Sequence, residues 1–502
     1  MKTGTSNATR RAAGILLHPT SLPSAHGVGD VGSGAFAFMD WLRAGGMTLW
    51  QLLPLVPPGH GGAPYSSPSS FAGNPLLIDL EDLVGRGLLS RSDVDAGASH
   101  GFDSDFVEWA RVIPWKQALV DRAARRFADS SDGKHAIASF VARQPWAQDD
   151  ALFAALKHKH GGRAWWHWDP PLARRDAVAL ATARAELRDL IEQRLAEQTL
   201  FDLQWQRLRA GARERGISLI GDIPIYVDRD SVDVWANTAY FQLNDDLTPR
   251  AVSGVPPDAF SDLGQLWGNP LYDWDTLRRD EYRWWIARLR RNFELCDIVR
   301  IDHFRAFDAY WEVGFGAPDA REGRWVAGPG IGFFHAVKQS FGELPIIAED
   351  LGIITDDVTA LRDATGLPGM KVLQFAFGDG PDNHYLPHNH VEQCVVYTGT
   401  HDNDTTLGWW RRSSDRVQDH VRRYLARDGS DVVWDLIRCA LSSPARMSIV
   451  PMQDVLTLDS GARMNVPGQA DGNWAWRVRG DAFHKSIAGR LREMNLLYQR
   501  VA

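Results

Sequence analysis

Eight short apolar runs punctuate the chain, and none of them alternates apolar with polar residues. They lie at residues 14–18, 48–54, 217–222, 298–302, 345–349, 371–377, 394–402 and 447–453. An alternating run would leave one face for water, so runs of this length without alternation predict parallel strands buried on both faces. Between them the apolar period changes to that of a helix. Residues 35–42 follow the first run, and Tyr282, Trp285, Ile286, Leu289 and Phe293 precede the fourth. Residues 333–341, 356–364 and 418–426 follow the fourth, fifth and seventh. Strands alternating with helices through eight repeats predict an α/β chain closed as a (β/α)8 TIM barrel, rather than an open doubly wound sheet.

The spacing of the runs is uneven. Roughly 160 residues separate the second from the third, many more than a βα connection needs. That interval carries helical patterns at 115–127 and 151–159 and one long run at 174–215, rich in Ala, Leu, Glu, Arg and Gln. The expected organisation is a barrel of residues 1–58 and 217–502, with a mainly helical subdomain of residues 59–216 inserted after strand two. A second excursion at 228–280, dense in Pro, Gly, Asp and aromatic residues, is expected to shape the mouth from the C-terminal face.

Composition narrows the function classes. Of 502 residues, 44% are hydrophobic and 24% charged, which supplies a large globular core. The net charge of -8, with acids and bases interspersed, argues against a nucleic-acid surface. No apolar run reaches the ~20 residues needed to span a membrane, and Ile15-Leu16-Leu17 is too short for a signal-peptide core. Cys296, Cys394 and Cys439 are too scattered for a disulfide framework or a CxxC metal site, so a reducing cytoplasm is expected. The 21 tryptophans suit either a core or the stacking of sugars.

Polar chemistry is concentrated where the apolar runs end. The tips offer Asp222, Arg300, Asp302, His303, Glu349, Asp350, His401 and Asp402. In a barrel these converge on one mouth, although they are far apart in the chain. Arg300 and Asp302 share one strand face, so the guanidinium would hold that carboxylate ionised. Taken alone, the pair is equally an ion pair at a strand end. Glu349 follows Ile346-Ile347-Ala348 and adjoins Asp350; an apolar approach and a neighbouring acid would both raise its pKa. An ionised nucleophile and a proton-bearing acid suffice for glycosyl hydrolysis or transfer with retention. The alternative is metal-assisted hydrolysis, because His and Asp at barrel tips also bind divalent ions. There is no His-x-His on an early strand, and His384, His388 and His390 lie in a Pro/Asn-rich loop.

Three stretches make a family resemblance specific: Arg-Ile-Asp-His-Phe at 300–304, Ala-Glu-Asp-Leu-Gly at 348–352 and Gly-Thr-His-Asp-Asn at 399–403. They resemble the acid-bearing motifs of the amylomaltase-type 4-alpha-glucanotransferases, glycoside hydrolase family 77, distant relatives of the α-amylases. Residues 65–75, 221–227, 254–258 and 266–272 match in the same order, so the likeness runs from about Gly14 to the C-terminus. The resemblance implies Asp302 as nucleophile, Glu349 as general acid/base and Asp402 as the third carboxylate, which binds sugar hydroxyls at the transition state. It implies that His303 and His401 bind the donor sugar, that Asp222 and Arg300 support the nucleophile, and that Tyr65 is a stacking platform opening the insert. It also implies a lid at 254–272 with Phe260, Gln265 and Trp267, a further bordering loop with Asn465 and Pro467, and no metal or organic cofactor. Ala259 departs from the family, which often has tyrosine there. The implied partners are a malto-oligosaccharide or α-glucan donor and a glucose or glucan acceptor. An amylase-like retaining hydrolase, a glucan-binding barrel without catalysis and a metal-dependent hydrolase remain as rivals. The tryptophans of the insert, Trp165, Trp166 and Trp168, are expected in its core.

Overall fold

The computed structural model describes residues 11–98, 101–257 and 261–501. Among them are twelve strands: β1 (Ala12–Leu16), β2 (Leu49–Gln51), β3 (Ser218–Ile223), β4 (Ala251–Val255), β5 (Gln265–Pro270), β6 (Ile298–Ile301), β7 (Ala309–Gly314), β8 (Gly323–Ala327), β9 (Ile346–Ala348), β10 (Gly369–Val372), β11 (Cys394–Tyr397) and β12 (Met447–Pro451). Eight of these form one sheet in the order β10-β11-β12-β1-β2-β3-β6-β9, and every pairing within it is parallel. All eight apolar runs contribute a strand to it. The sixth strand starts and ends earlier than its run, because Leu373–Phe375 turns as a 3-10 helix and carries Leu373, Ala376 and Phe377 into the outer core.

The two end strands are joined by few bonds. The Ala348 N–H donates to the Pro368 carbonyl at 2.9 Å. Beyond it, the Asp350 carboxylate takes the place of a ladder carbonyl, with Oδ1 accepting the Met370 N–H at 2.6 Å and Oδ2 the Arg362 guanidinium at 2.6 Å. Gly369 leaves room for this, since a Cβ there would overlap the Asp350 carboxylate.

The burial on both strand faces explains the absence of alternation. Inward-facing Leu16, Leu49, Ile220, Ile347, Met370, Val395 and Met447 form one cluster inside the barrel. Outward-facing residues such as Ile15, Trp50, Leu219, Val396 and Val450 pack against Phe38, Leu42, Leu436 and Ile437 of the helices Ser33–Ala44 and Val432–Ser442. Val299, Ile301, Ile346 and Ala348 do the same against Trp285, Leu289, Phe333 and Val337. Fully burying each such side chain is worth about 1.5–3 kcal/mol relative to exposure.

Between β2 and β3 the chain is mainly helical. The run at 174–215 is two helices rather than one: Ala177–Glu186 and Arg188–Glu214, broken at Leu187. No Pro or Gly marks the break. The bend lets Leu180, Ala183 and Leu187 join one core while Leu200, Phe201, Trp205 and Leu208 join another. The apolar pattern of a single helix could not show this. Trp165 and Trp168 are buried, as expected for a core, whereas Trp166 is only half-buried, packing against that core with the Arg229 guanidinium over its ring at 3.8 Å.

A four-stranded antiparallel sheet, β5-β4-β7-β8, stands beside the mouth. Its strands mix Gly, Ser, Glu, Arg and Trp, so the apolar pattern does not announce them. Ala251 and Tyr310 anchor it in the barrel's outer core, and β5 carries Gln265 and Trp267.

Candidate functional site

β6 ends at Ile301, so Arg300 points into the barrel and Asp302 stands at the rim. Arg300 is buried and its guanidinium bridges two carboxylates. Nη1 lies 2.8 Å from both oxygens of Asp222 on β3, and Nη2 lies 2.8 Å from Oδ1 of Asp302. Burial alone would lower the Arg300 pKa, but Asp222 and Asp302 outweigh it and hold the guanidinium well above its usual range. Tyr65 donates its hydroxyl to Asp222 at 2.7 Å, and burial and that carboxylate together raise the phenol, so it keeps its proton as a donor. The nucleophile candidate is thus held from behind by a chain of three side chains from three segments.

Glu349 follows β9 directly. Its carboxyl accepts the His303 N–H at 2.6 Å and the Leu351 N–H at 2.8 Å. Despite both bonds its pKa is pushed up to about 8, first by burial and then by the charge of Asp302, with Arg300 opposing. Asp350, expected from its adjacency to contribute, is not among the leading causes of this rise. The next residue along the chain points the other way, and Asp350 is spent on Met370 and Arg362 in the β9–β10 closure.

His303 adopts left-handed backbone angles, φ 52° and ψ 52°, which are uncommon outside glycine. That turn delivers its N–H to Glu349 and presents its ring edge-to-face to Trp267, with centroids 4.8 Å apart. Burial pushes its imidazole down to about 4, leaving the ring neutral at pH 7. Trp267 is 36% exposed and donates to Gln265 Oε1 at 3.2 Å. Phe260 and Ala259 lie outside the described residues.

Asp402 follows β11 and is 42% exposed, the most open of the three acids. Asn465 Nδ2 donates to its Oδ1 at 2.6 Å, and His401 Nε2 lies 3.2 Å from its Oδ2. The His401 ring stacks on Tyr65, 5.2 Å between centroids at 14°, so one acid-bearing tip is packed against the support of another.

The sequence-predicted residues Tyr65, Asp222, Arg300, Asp302, His303, Glu349, His401, Asp402 and Asn465 therefore form one connected set, with Gln265 and Trp267 reaching it through His303. Sequence reasoning missed Trp474, whose ring packs against Tyr65 at 5.5 Å and His401 at 5.9 Å. It also missed His18 at the β1 tip, a buried ring pushed down to about 3 by burial and by His401. Tryptophan in a Gly/Asp-rich loop was the one available signal for Trp474. His388 bonds Tyr424 and the Pro381 carbonyl, and His390 bonds the Tyr385 carbonyl, so both spend ring nitrogens within their own region. Among the described residues no three His, Cys, Asp or Glu side chains group as a metal site, and no helix is long and apolar enough to cross a membrane. All three cysteines are free and buried.

Residues 17–483 match the sequence family described as 4-alpha-glucanotransferase. A 4-alpha-glucanotransferase of Thermus thermophilus is 47% identical over 495 residues, covering 96% of this chain and 98% of the relative. The chloroplastic/amyloplastic 4-alpha-glucanotransferase of Solanum tuberosum is 45% identical over 506 residues, covering 98% and 87%. The structure of an amylomaltase from Streptococcus agalactiae in complex with acarbose superposes with a TM-score of 0.96 at 36% identity, covering 98% of this chain and all of that one.

Proposed function

The chain belongs to the 4-alpha-glucanotransferase family, glycoside hydrolase family 77, and on that premise we propose how its residues divide the reaction. The enzyme transfers α-1,4-glucan segments through a covalent glycosyl intermediate. Asp302 attacks the anomeric carbon of the donor and forms the glycosyl ester, while Glu349 gives its proton to the departing 4-oxygen. A 4-hydroxyl of glucose or another glucan then replaces the leaving chain. Glu349, now ionised, takes that hydroxyl's proton as the oxygen attacks and Asp302 is released, so configuration is retained.

The observation that carries this division is the different surroundings of two neighbouring acids. Asp302 pairs with a guanidinium, while Glu349, enclosed and close to that carboxylate, keeps a proton up to about pH 8. Asp222 and Tyr65 fix Arg300, and Asp402, held by Asn465 and His401, binds hydroxyls of the distorted sugar. His303 is a neutral donor to the same sugar, and Trp267 and Gln265 on β5 belong to a lid that favours a sugar acceptor over water. The helices between β2 and β3 act as an insert that presents Tyr65. The unpaired, buried cysteines support a reducing cytoplasmic setting.

Incubation with maltotriose tests the reading. A ladder of shorter and longer oligosaccharides with little new reducing sugar is expected; net release of reducing ends would instead mark an amylase-like hydrolase. Asp302→Asn is expected to lower kcat/KM by about 10⁴-fold or more, the scale on which loss of a covalent nucleophile acts. Full turnover by that variant would remove Asp302 from its role.

A further inference from the structure

Asp402 differs from the other two acids in how it is held. Asp302 is paired with the Arg300 guanidinium at 2.8 Å and Glu349 is buried behind β9, whereas the Asp402 side chain is 42% exposed on the loop after β11. What fixes it is a second loop, the one that follows β12. The Asn465 N–H donates to the His401 carbonyl at 3.1 Å, and its side chain donates to Asp402 Oδ1 at 2.6 Å. Two residues earlier, half-buried Arg463 reaches both strands of this junction. Its Nη2 donates to the Asp402 carbonyl at 2.5 Å and its Nε to the Asn465 carbonyl at 2.7 Å. One rigid planar group thereby ties the backbone of the acid to the backbone of the residue that orients it. The charges that face the guanidinium are Arg412 and Asp402 itself, and no carboxylate bonds it directly among the described residues. On the far side of the loop, the Trp474 N–H donates to the Met464 carbonyl at 2.7 Å, and its ring closes over Tyr65 and His401.

We propose that Arg463 is a positioning residue for the transfer reaction, setting where Asp402 meets the donor sugar by clamping the 401–402 and 463–465 loops together. The guanidinium does not touch the sugar in this role; it acts only through Asp402 and Asn465. The inference rests on the assignment of Asp402 as the third carboxylate. A misplacement of about 1 Å in a catalytic group can cost on the order of 100-fold in rate; removing the clamp leaves Asp402 itself tied to the second loop by the two Asn465 bonds, the next link being Ser460 Oγ on Asp404 Oδ2 at 2.9 Å.

The test is a double-mutant cycle of Arg463→Gln and Asp402→Asn, read as kcat and KM for maltotriose and as equilibrium affinity for acarbose. Arg463→Gln alone is expected to lower kcat by about 10- to 100-fold with a smaller change in KM, and to weaken acarbose by about 10-fold. Arg463→Lys, which keeps one donor, should recover part of the loss. In the Asp402→Asn background, Arg463→Gln should add less than about 3-fold to either readout, because the group it positions is gone. An effect of the same size in both backgrounds, or no effect of Arg463→Gln in the parent enzyme, overturns the proposal. Parent-like kcat and affinity in Asp402→Asn alone would overturn the assignment of Asp402 itself, which is a separate failure.

Discussion

Replacing Glu349 with glutamine should make the enzyme inactive and, at neutral pH, more stable. The carboxyl titrates near pH 8 in the fold against an ordinary 4.5, because burial and Asp302 disfavour its charge. The folded protein therefore binds a proton that the unfolded chain has already released. Its contribution is full below about pH 4.5 and is lost as pH climbs to about 8. The shift corresponds to about 5 kcal/mol over the whole window and about 3 kcal/mol by pH 7. Glutamine removes this term but has a single acceptor oxygen for the His303 and Leu351 N–H groups, which meet the carboxyl at 2.6 and 2.8 Å. Leaving one N–H facing an amide NH₂ costs about 1–2 kcal/mol at any pH. The variant should then be destabilised near pH 4.5, gain about 1–2 kcal/mol at pH 7, and gain more at pH 9. Urea unfolding of both proteins from pH 4.5 to 9 measures the difference directly. A difference independent of pH would refute the claim that burial holds the proton on Glu349, as would a parent enzyme whose kcat/KM shows no fall on the alkaline side near pH 8.

Other perturbations separate support from chemistry. Tyr65→Phe removes the 2.7 Å bond to buried Asp222 and should cost about 1–2 kcal/mol of stability, with a loss of kcat about 10-fold or less; an unchanged Tm and kcat would deny the support of Arg300 from behind. Asp350→Asn should leave kcat/KM near the parent value while costing about 3 kcal/mol, since it breaks the buried pair with Arg362. Hydrogen exchange at the Met370 amide should rise, and exchange equal to the parent would show that the closure does not depend on that carboxylate. Buried Arg500 donates to the carbonyls of Ala12, Leu441, Ser443, Ala445 and Arg446 at the N-terminal end of the barrel, opposite the mouth. Arg500→Ala strands several of these acceptors and should cost about 3 kcal/mol or more in a urea titration, without changing kcat/KM.

The eight barrel strands and the polar groups at their tips were determined locally, and so they were legible in the chain. A strand buried on both faces must be apolar at every position, and a tip residue such as Asp302 or Glu349 sits next in sequence to the strand that carries it. The motifs around them are equally short-range. The β4, β5, β7 and β8 sheet left no such trace, because its strands, buried in β4 and largely open in β5 and β8, carry Gly, Ser, Arg and Glu and take their identity from cross-strand partners. Nor does helical period reveal a bend at Leu187 that exists to serve two separate cores. The electrostatics belonged wholly to the tertiary structure. Adjacency in the chain suggested that Asp350 raises Glu349, but successive side chains diverge at a strand end, and the charge that matters is Asp302 from the neighbouring strand. The same holds for Tyr65 on Asp222, 157 residues apart, and for Arg463 on Asp402, 61 residues apart. Sequence could say which groups were available to the mouth; only the closed barrel decided which of them were buried, paired or left to be held by a loop, because burial and Coulomb interaction depend on distance in space and not along the chain.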